Sequence, residues 1–529
     1  MHFDWSNPYP TPRTPLFARN VVSTSHPLAA QAGLRMLVKG GNAIDAAVAA
    51  AAALTVVEPV SCGLGGDAFA LVWDGSALHG LNGSGQAPAA WTPKYFARHG
   101  DRIPQRGWDS VTVPGMVASW VELSERFGKL PFRRLLEPAV ELAERGFMVS
   151  PGVQAKWAAA IPILKEQPGF AEAFMPHGRA PHIGELFVHP AVRTLVRIAE
   201  SRGDAFYRGE LAEAMAAHAR RHDAALTVDD LAAFKPEWVT PIARDFAGCT
   251  VHEMPPNGQG IAALMALGIV EQRDVARYPL DSADSLHLQI EAMKLAFADT
   301  YRWVGDAQAM KEIRPADLLD DGYLAERARL IDMRRATAFA HGTPPAGGTV
   351  CLAAADEDGM MISFIQSNYM GFGSGVVVPG TGIAMQNRGH GFTLKNGHPN
   401  RVTPRKRPFH TVIPAFVTRD GLPLLAFGVM GGNMQPQGHL QTLVRMLCQR
   451  QQPQAACDAP RWKVQSGRDV ELEHTMDPDV VAQLAARGHR IAQPSDSYMD
   501  FGGGQFIWKT DAGYIAASDP RRDGQAVGY

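Results

Sequence analysis

Apolar positions along the chain follow two periods, and the switch between them outlines the elements. From about Ala30 the run AAQAGLRMLVKGGNAIDAAVAAAAALTVVEP is helical in spacing. Gly40-Gly41 is expected to stop one helix, and Asn42 to cap the next. The stretch Ala46–Val57 is mostly alanine and shorter than the ~20 residues that span a bilayer, so it reads as a buried helix. AFALVW followed by DGSALHGLNG predicts a hairpin turning at Asp74-Gly75. Residues 115–330 are dominated by helical spacing, clearest in SADSLHLQIEAMKLAFADTYRWVG, with apolar residues at i, i+3, i+4 and i+7.

A polar, small-residue stretch, RATAFAHGTPPAGG (335–348), then predicts an exposed, poorly structured loop. Beyond it TVCLAAAD, EDG and MMISFIQSNY read as strand, tight turn and strand. HTVIPAFVTRDGLPLLAFGV repeats that form with Asp420-Gly421 at the turn. Strands and long helices in non-alternating order predict helices stacked on an antiparallel or mixed sandwich, not a doubly wound sheet. Residues 1–20 are Pro-rich and read as an extended arm.

The chain has 529 residues, and a prior of ~150 per domain would give three or four domains, although large single-core enzymes break it. With 51 basic against 53 acidic side chains, nothing electrostatic points to nucleic acid or an anionic membrane as partner. The start, MHFDWSNPYPTPRTP, has neither a basic nor an apolar signal region, so a cytoplasmic address is expected. Cys62, Cys249, Cys351, Cys448 and Cys457 contain no C-x-x-C pair, which fits a reducing compartment and no zinc knuckle.

Most short motifs fail on context. Gly63-Leu64-Gly65-Gly66-Asp67-Ala68 matches a dinucleotide fingerprint, but a helix precedes it and a strand follows, the reverse of what phosphate binding at a helix start needs. His252-Glu253 lacks a second histidine four residues on, and no G-x-S-x-G elbow or phosphate loop occurs. The 18 histidines show no ligand spacing, so no metal and no cofactor is expected.

One candidate survives. Thr349 stands where the Pro/Gly loop meets an apolar strand, preceded by Gly347-Gly348. If the Gly348–Thr349 bond were cut, Thr349 would carry both a hydroxyl nucleophile and a free α-amine. That amine titrates near ~7.7–8 and can take the hydroxyl proton without a histidine. Gly431-Gly432, after the strand LLAFGVM, could offer backbone N–H groups to an oxyanion, or form an ordinary turn.

Taken together these segments resemble the γ-glutamyltransferase family of N-terminal-nucleophile hydrolases. The motifs that carry the resemblance are GGNAIDAAVA (40–49), GLGGDAF (63–69), VPG (113–115), FGKLP (127–131), LTVDDLAAF (226–234) and MPPNGQGI (254–261). They continue with GGT (347–349), AADEDG (354–359), FGSG (372–375), KRP (406–408), GGN (431–433) and SDPRRDGQAVGY (518–529). The resemblance implies an α+β fold, a four-layer αββα sandwich. It also implies a precursor that cuts itself before Thr349 into segments 1–348 and 349–529. These stay together around one core, with pairing of two such heterodimers a further expectation.

Carried over residue by residue, the catalytic centre is intact. Thr349 is the nucleophile, Ser367 the supporting hydroxyl on the neighbouring strand, and Gly431 and Gly432 the oxyanion glycines. The residues that would hold a γ-glutamyl head are changed. The arginine for its α-carboxylate falls at Ser84, an asparagine at Tyr369, the aspartate for its α-ammonium at His390, and a serine pair at His410-Thr411. Arg388, two residues before His390, could hold a carboxylate instead, ahead of Arg401 or Arg407. The segment between His390 and Lys406 is shorter than the family's lid-bearing stretch, which predicts an open site and hydrolysis over transfer. The expected function is amide hydrolysis of a small carboxylated substrate, as in the acylase and oxamate-amidohydrolase branches. The alternatives are a true glutathione hydrolase/transpeptidase and an uncut, non-enzymatic scaffold.

Overall fold

The computed structural model describes residues 4–11, 13–100, 102–339, 348–494 and 501–529. Two seven-stranded sheets form its centre. From edge to edge one runs Gln525–Gly528, Val21–Thr24, Gly348–Ala355, Met361–Tyr369, Asp67–Trp73, Leu78–Gly83, Glu237–Val239. The other runs Leu16–Ala18, Gly513–Ser518, Gly503–Thr510, Leu422–Met430, Ala415–Arg419, Cys249–Glu253, Ile242–Phe246. Every pairing within both is antiparallel.

Strand alternation explains the layering. Val350, Leu352 and Ala354 join a core shared with the helices Pro27–Val38, Ala43–Val57 and Met116–Phe127. Cys351, Ala353 and Ala355 point the other way, into a core with Phe69, Ile365, Phe416, Ala426 and Ile507. On the second sheet Leu425, Phe427 and Val429 pack against the helices Gly260–Glu271, Ala283–Trp303 and Met434–Leu443. Successive side chains leave a strand on opposite faces, so strands apolar at every position must be covered on both sides. Three stacked cores therefore make four layers, helix–sheet–sheet–helix, as expected. The length prior of three or four separate domains does not hold.

The predicted helix starts and turns are found. Asn42 Oδ1 accepts from the N–H groups of Ile44 and Asp45, and Asn42 N–H donates in turn to Asp45 Oδ2. Every residue of Ala43–Val57 is buried. The first hairpin closes over Asp74–Ala77, and Asp420 and Gly421 both take positive φ, 52° and 76°, as a two-residue hairpin turn requires. Among the described residues no helix is long and apolar enough to cross a membrane.

Four expectations need correction. Within 115–330, residues 237–253 form three strands; their alternation is short and irregular, and pairing makes them strands, Glu237–Val239 and Ile242–Phe246 at sheet edges and Cys249–Glu253 between Ile242–Phe246 and Ala415–Arg419. The N-terminal arm is tied down, with Leu16–Ala18 pairing to Gly513–Ser518. The strand expected from His410 begins at Ala415, because His410 and Ile413 N–H groups bond to Asn257 O and Gln435 Oε1 instead of to a ladder. Of the loop at 335–348, residues 340–347 lie outside the described residues. Ala336 is buried, its N–H donating to Arg487 O at 2.7 Å, and Thr337 N–H donates to Glu291 Oε2 at 2.9 Å.

Candidate active site

Thr349 sits near the start of the strand Gly348–Ala355, 2% exposed, at one end of the gap between the sheets. The ladder is irregular there: between the pairs Val350↔Gln366 and Gly348↔Tyr369, Thr349 alone faces both Ser367 and Asn368. Such a bulge re-aims side chains without ending the strand. Thr349 Oγ1 lies 3.4 Å from Ser367 Oγ, longer than a good hydroxyl bond, and Ser367 Oγ also accepts from Tyr369 N at 2.7 Å. Gly66 lets the rejected glycine-rich loop close on this strand: a Cβ there would come within 2.7 Å of Ser367 O.

Asp67 stands directly opposite Ser367 on the next strand, so their side chains share the face turned to the inter-sheet gap. Its Oδ2 accepts from His410 Nε2 at 3.0 Å, while His410 Nδ1 accepts from Val412 N at 3.2 Å. These bonds fix the imidazole as a neutral tautomer, and burial, with Arg388 beside it, pushes its pKa down to about 4. Arg388, 1% exposed, donates from Nη1 to Thr411 Oγ1 at 2.8 Å, and its Nε is 3.9 Å from Asp67 Oδ2. Its guanidinium carbon lies 4.6 Å from the Tyr369 ring centroid. Burial lowers the Arg388 pKa to about 10, which still leaves it a cation at neutral pH. Arg388 Nε and Nη2 and Asp67 Oδ1 have no hydrogen-bond partner although all are buried. Orphans of this kind cost ~1–3 kcal/mol each and call for a ligand or water to complete them.

Gly431 and Gly432 end the strand Leu422–Met430 with φ of 122° and 59°, and Asn433 starts the helix Met434–Leu443. The Gly431 carbonyl accepts from Met434 N, and the Gly432 carbonyl from Gln435 N and from Gln259 Nε2 at 2.9 Å. In a trans peptide the N–H opposes the C=O, so the N–H groups of Gly432 and Asn433 point away from the helix. Gln259 Nε2 also donates to Thr411 O at 2.7 Å. Contacts thus run continuously from Thr349 through Ser367, Tyr369, Arg388, Thr411 and Gln259 to Gly432.

Not every candidate joins that chain. Ser84 is fully buried; its Oγ accepts from Asn257 Nδ2 at 3.0 Å and its carbonyl from Arg407 Nε at 3.0 Å. Arg407 is also paired with Glu237 at 2.9 Å, which removes it as a carboxylate anchor. His390 bonds to Ile103 O at 3.0 Å and, with His99 and Arg102, lines a separate cleft of about 540 Å³. Asp67 and Gln259 escaped the sequence reading, although both lie in motifs noted there, GLGGDAF and MPPNGQGI.

A histidine cluster was missed too. His287, Glu291 and His489 bring ligand-type atoms within 4.8 Å of one another. Those atoms are engaged: His287 Nδ1 with His489 Nε2 at 2.8 Å, and Glu291 with Lys294 Nζ at 2.7 Å and with Thr337 N. The cluster anchors the upstream end of the linker. The spacing of His287 and Glu291, one helical turn apart, was visible in sequence; the arrival of His489 was not.

Next to Asn433, a crevice of about 30 Å³, room for a water or two, is lined by Phe297, Tyr301, Phe339 and Gly467.

Residues 29–529 match the gamma-glutamyltranspeptidase family. The chain is 37% identical to a glutathione hydrolase-like proenzyme of Bacillus subtilis, over 96% of this chain and 98% of that protein. It is 36% identical to the oxamate amidohydrolase proenzyme of Klebsiella pneumoniae, over 95% and 97%. The crystal structure of cephalosporin acylase from Bacillus halodurans superposes with a TM-score of 0.93 at 47% identity, covering 100% of this chain and 99% of that one. An α+β sandwich with these relatives along its whole length is an amidohydrolase or acyltransferase, and the chain belongs to the gamma-glutamyltranspeptidase family of N-terminal-nucleophile hydrolases.

Proposed function

We propose that the chain cuts itself between Gly348 and Thr349 and that Thr349, as a new N-terminus, hydrolyses an amide whose acyl part bears a carboxylate. In the cut, Thr349 Oγ attacks the Gly348 carbonyl carbon and the peptide C–N bond breaks, leaving an ester that water cleaves to a Gly348 carboxylate and a free threonine. In turnover the α-amine takes the hydroxyl proton as Oγ attacks the substrate carbonyl, then delivers it to the leaving nitrogen. The oxyanion is held by backbone N–H groups of the Gly431-Gly432 turn, the Gly432 N–H pointing away from the helix that follows. Water releases the acyl group in a second passage. Ser367 keeps the Thr349 hydroxyl oriented. Both sheets interleave strands of segments 1–348 and 349–529, so the pieces share ladders and remain together after the cut.

The observation that carries this reading is the buried Arg388, two guanidinium nitrogens unbonded, reached from Thr349 through only Ser367 and Tyr369. It supplies the carboxylate anchor that Ser84 cannot. The proenzyme names of the relatives support the cut, and the oxamate amidohydrolase and cephalosporin acylase support amide substrates other than glutathione. The glutathione hydrolase-like relative favours, as second reading, a γ-glutamyl substrate. Denaturing electrophoresis with N-terminal sequencing should find two chains, the second starting Thr-Val-Cys-Leu. A panel of amides should be turned over by that material; active protein running as a single chain would overturn the reading.

A further inference from the structure

Two histidines outside the catalytic chain of contacts face each other. His218 lies in the last turn of the helix Glu210–Arg221, 4% exposed, and exposed His222 caps the end of that helix. A spacing of four brings both rings to one side of the helix. Their Nε2 atoms are 3.2 Å apart, with ring centroids at 4.7 Å and planes at 88°. A straight N–H···N bond of that length would hold the centroids about 5.5 Å apart, so the nitrogens meet at an angle instead of in line. Two imidazoles that share a metal ion, each ~2.0–2.1 Å from it, stand roughly 2.9–3.4 Å apart as neighbouring ligands. The observed separation falls inside that range. The carbonyl end of a helix also favours a cation, while the charges of exposed Arg220 and Arg221 are screened by solvent. The cluster of His287, Glu291 and His489 differs, because a cation already stands there: Lys294 Nζ is 2.7 Å from Glu291 Oε1 and 3.4 Å from His489 Nδ1.

We infer that His218 and His222 together chelate a divalent transition-metal ion, of the zinc, nickel and copper class that imidazole nitrogens favour, with solvent completing its shell. The chelate closes the last helical turn, so a bound ion stabilises the folded chain. It uses neither Thr349 nor Arg388, and the ion binds whether or not the chain is cut. The structure also supplies a reporter. The His218 ring packs edge-on against Trp108, with centroids 5.6 Å apart at 75°.

Titration calorimetry of tag-free, full-length protein with nickel, zinc and copper chlorides tests it, with magnesium chloride as control. One equivalent should bind, copper tightest, and magnesium, which prefers oxygen ligands, should give no heat. The melting temperature should rise with the bound ion. His222→Gln, at an exposed position, should lose that equivalent while melting like the metal-free wild type. Copper held beside Trp108 should quench part of the tryptophan emission and saturate at one equivalent. Trp108→Phe should keep the calorimetric equivalent and lose the quenched fraction. No binding to the wild type, or equal binding by His222→Gln, overturns the inference. Quenching that survives Trp108→Phe unchanged also overturns it, because the ion then lies elsewhere. That arm decides the matter even if His222→Gln does not fold.

Discussion

The Arg388 guanidinium lies over the Tyr369 ring, 4.6 Å from the centroid, while Nη1 donates to Thr411 Oγ1 at 2.8 Å. Ring and hydroxyl hold the fork in place and leave Nε and Nη2 for a ligand. A planar cation on an aromatic face is pre-organised in a way a lysine at this position could not be. Arg388→Met should lower kcat/KM on carboxyl-bearing amides by roughly 30- to 5,000-fold, from the ~2–5 kcal/mol lost with a buried charged contact. Tyr369→Phe should stay near wild type, while Tyr369→Leu should raise KM by removing the stacking face.

Thr349→Ala should accumulate as one inactive chain of 57.2 kDa, and Thr349→Ser should still cut and retain activity. Electrophoresis and N-terminal sequencing check both. A cut, active alanine variant would contradict the mechanism.

A free α-amine serves as base only when neutral. The kcat/KM profile should therefore rise with pH through an apparent pKa near ~7.7–8, or lower where the buried site disfavours the ammonium form. A profile flat from pH 5 to 9 would exclude the amine as base.

Gly431 has φ of 122°, outside the regions L-residues favour, and a Cβ there would lie 3.0 Å from Gly502 Cα. Gly431→Ala should shift the loop and cost on the order of 10²–10³ in kcat, the loss expected when one oxyanion donor is displaced. KM should change far less. Steady-state kinetics on matured protein separates the two.

Burial pushes the imidazoles of His26, His189 and His410 down to about 4 and that of His439 to about 3. Unfolded, each titrates near 6.5, so between pH 6.5 and 4 the unfolded chain binds protons that the folded one refuses. Stability should fall as pH drops through that window, each site contributing up to ~1.4 kcal/mol per pH unit. The melting temperature measured from pH 7.5 to 4.5 tests this, and His26→Gln should flatten the curve.

How much of this was legible in the chain depends on the range of the interaction. Helix starts, hairpin turns and the helix Ala43–Val57 were readable because a cap, a positive-φ glycine or a run of alanine acts within a few residues. Thr349 and the glycines at 431–432 stood out as candidates because the proposed chemistry needs a particular residue at a particular boundary. The strands within 237–253 were not, since their pattern is weak and pairing with sequence-distant strands made them strands. Nor was the separation of Arg388 from His390: two residues apart in sequence, one turns inward onto Tyr369 and the other bonds to Ile103.

By itself, then, the sequence determined the helices, the hairpins and the family, the first two through local periodicity, caps and turns, the last through the ordered motifs it shares with that family. Only the tertiary structure decided which charges share the pocket. Asp67, Gln259, Arg388 and His410 come from four distant segments, and a buried ion's partner is set by which strands lie side by side. Buried away from water, Arg388 and Asp67 therefore meet as a pair of opposite charges, not as a lone cation.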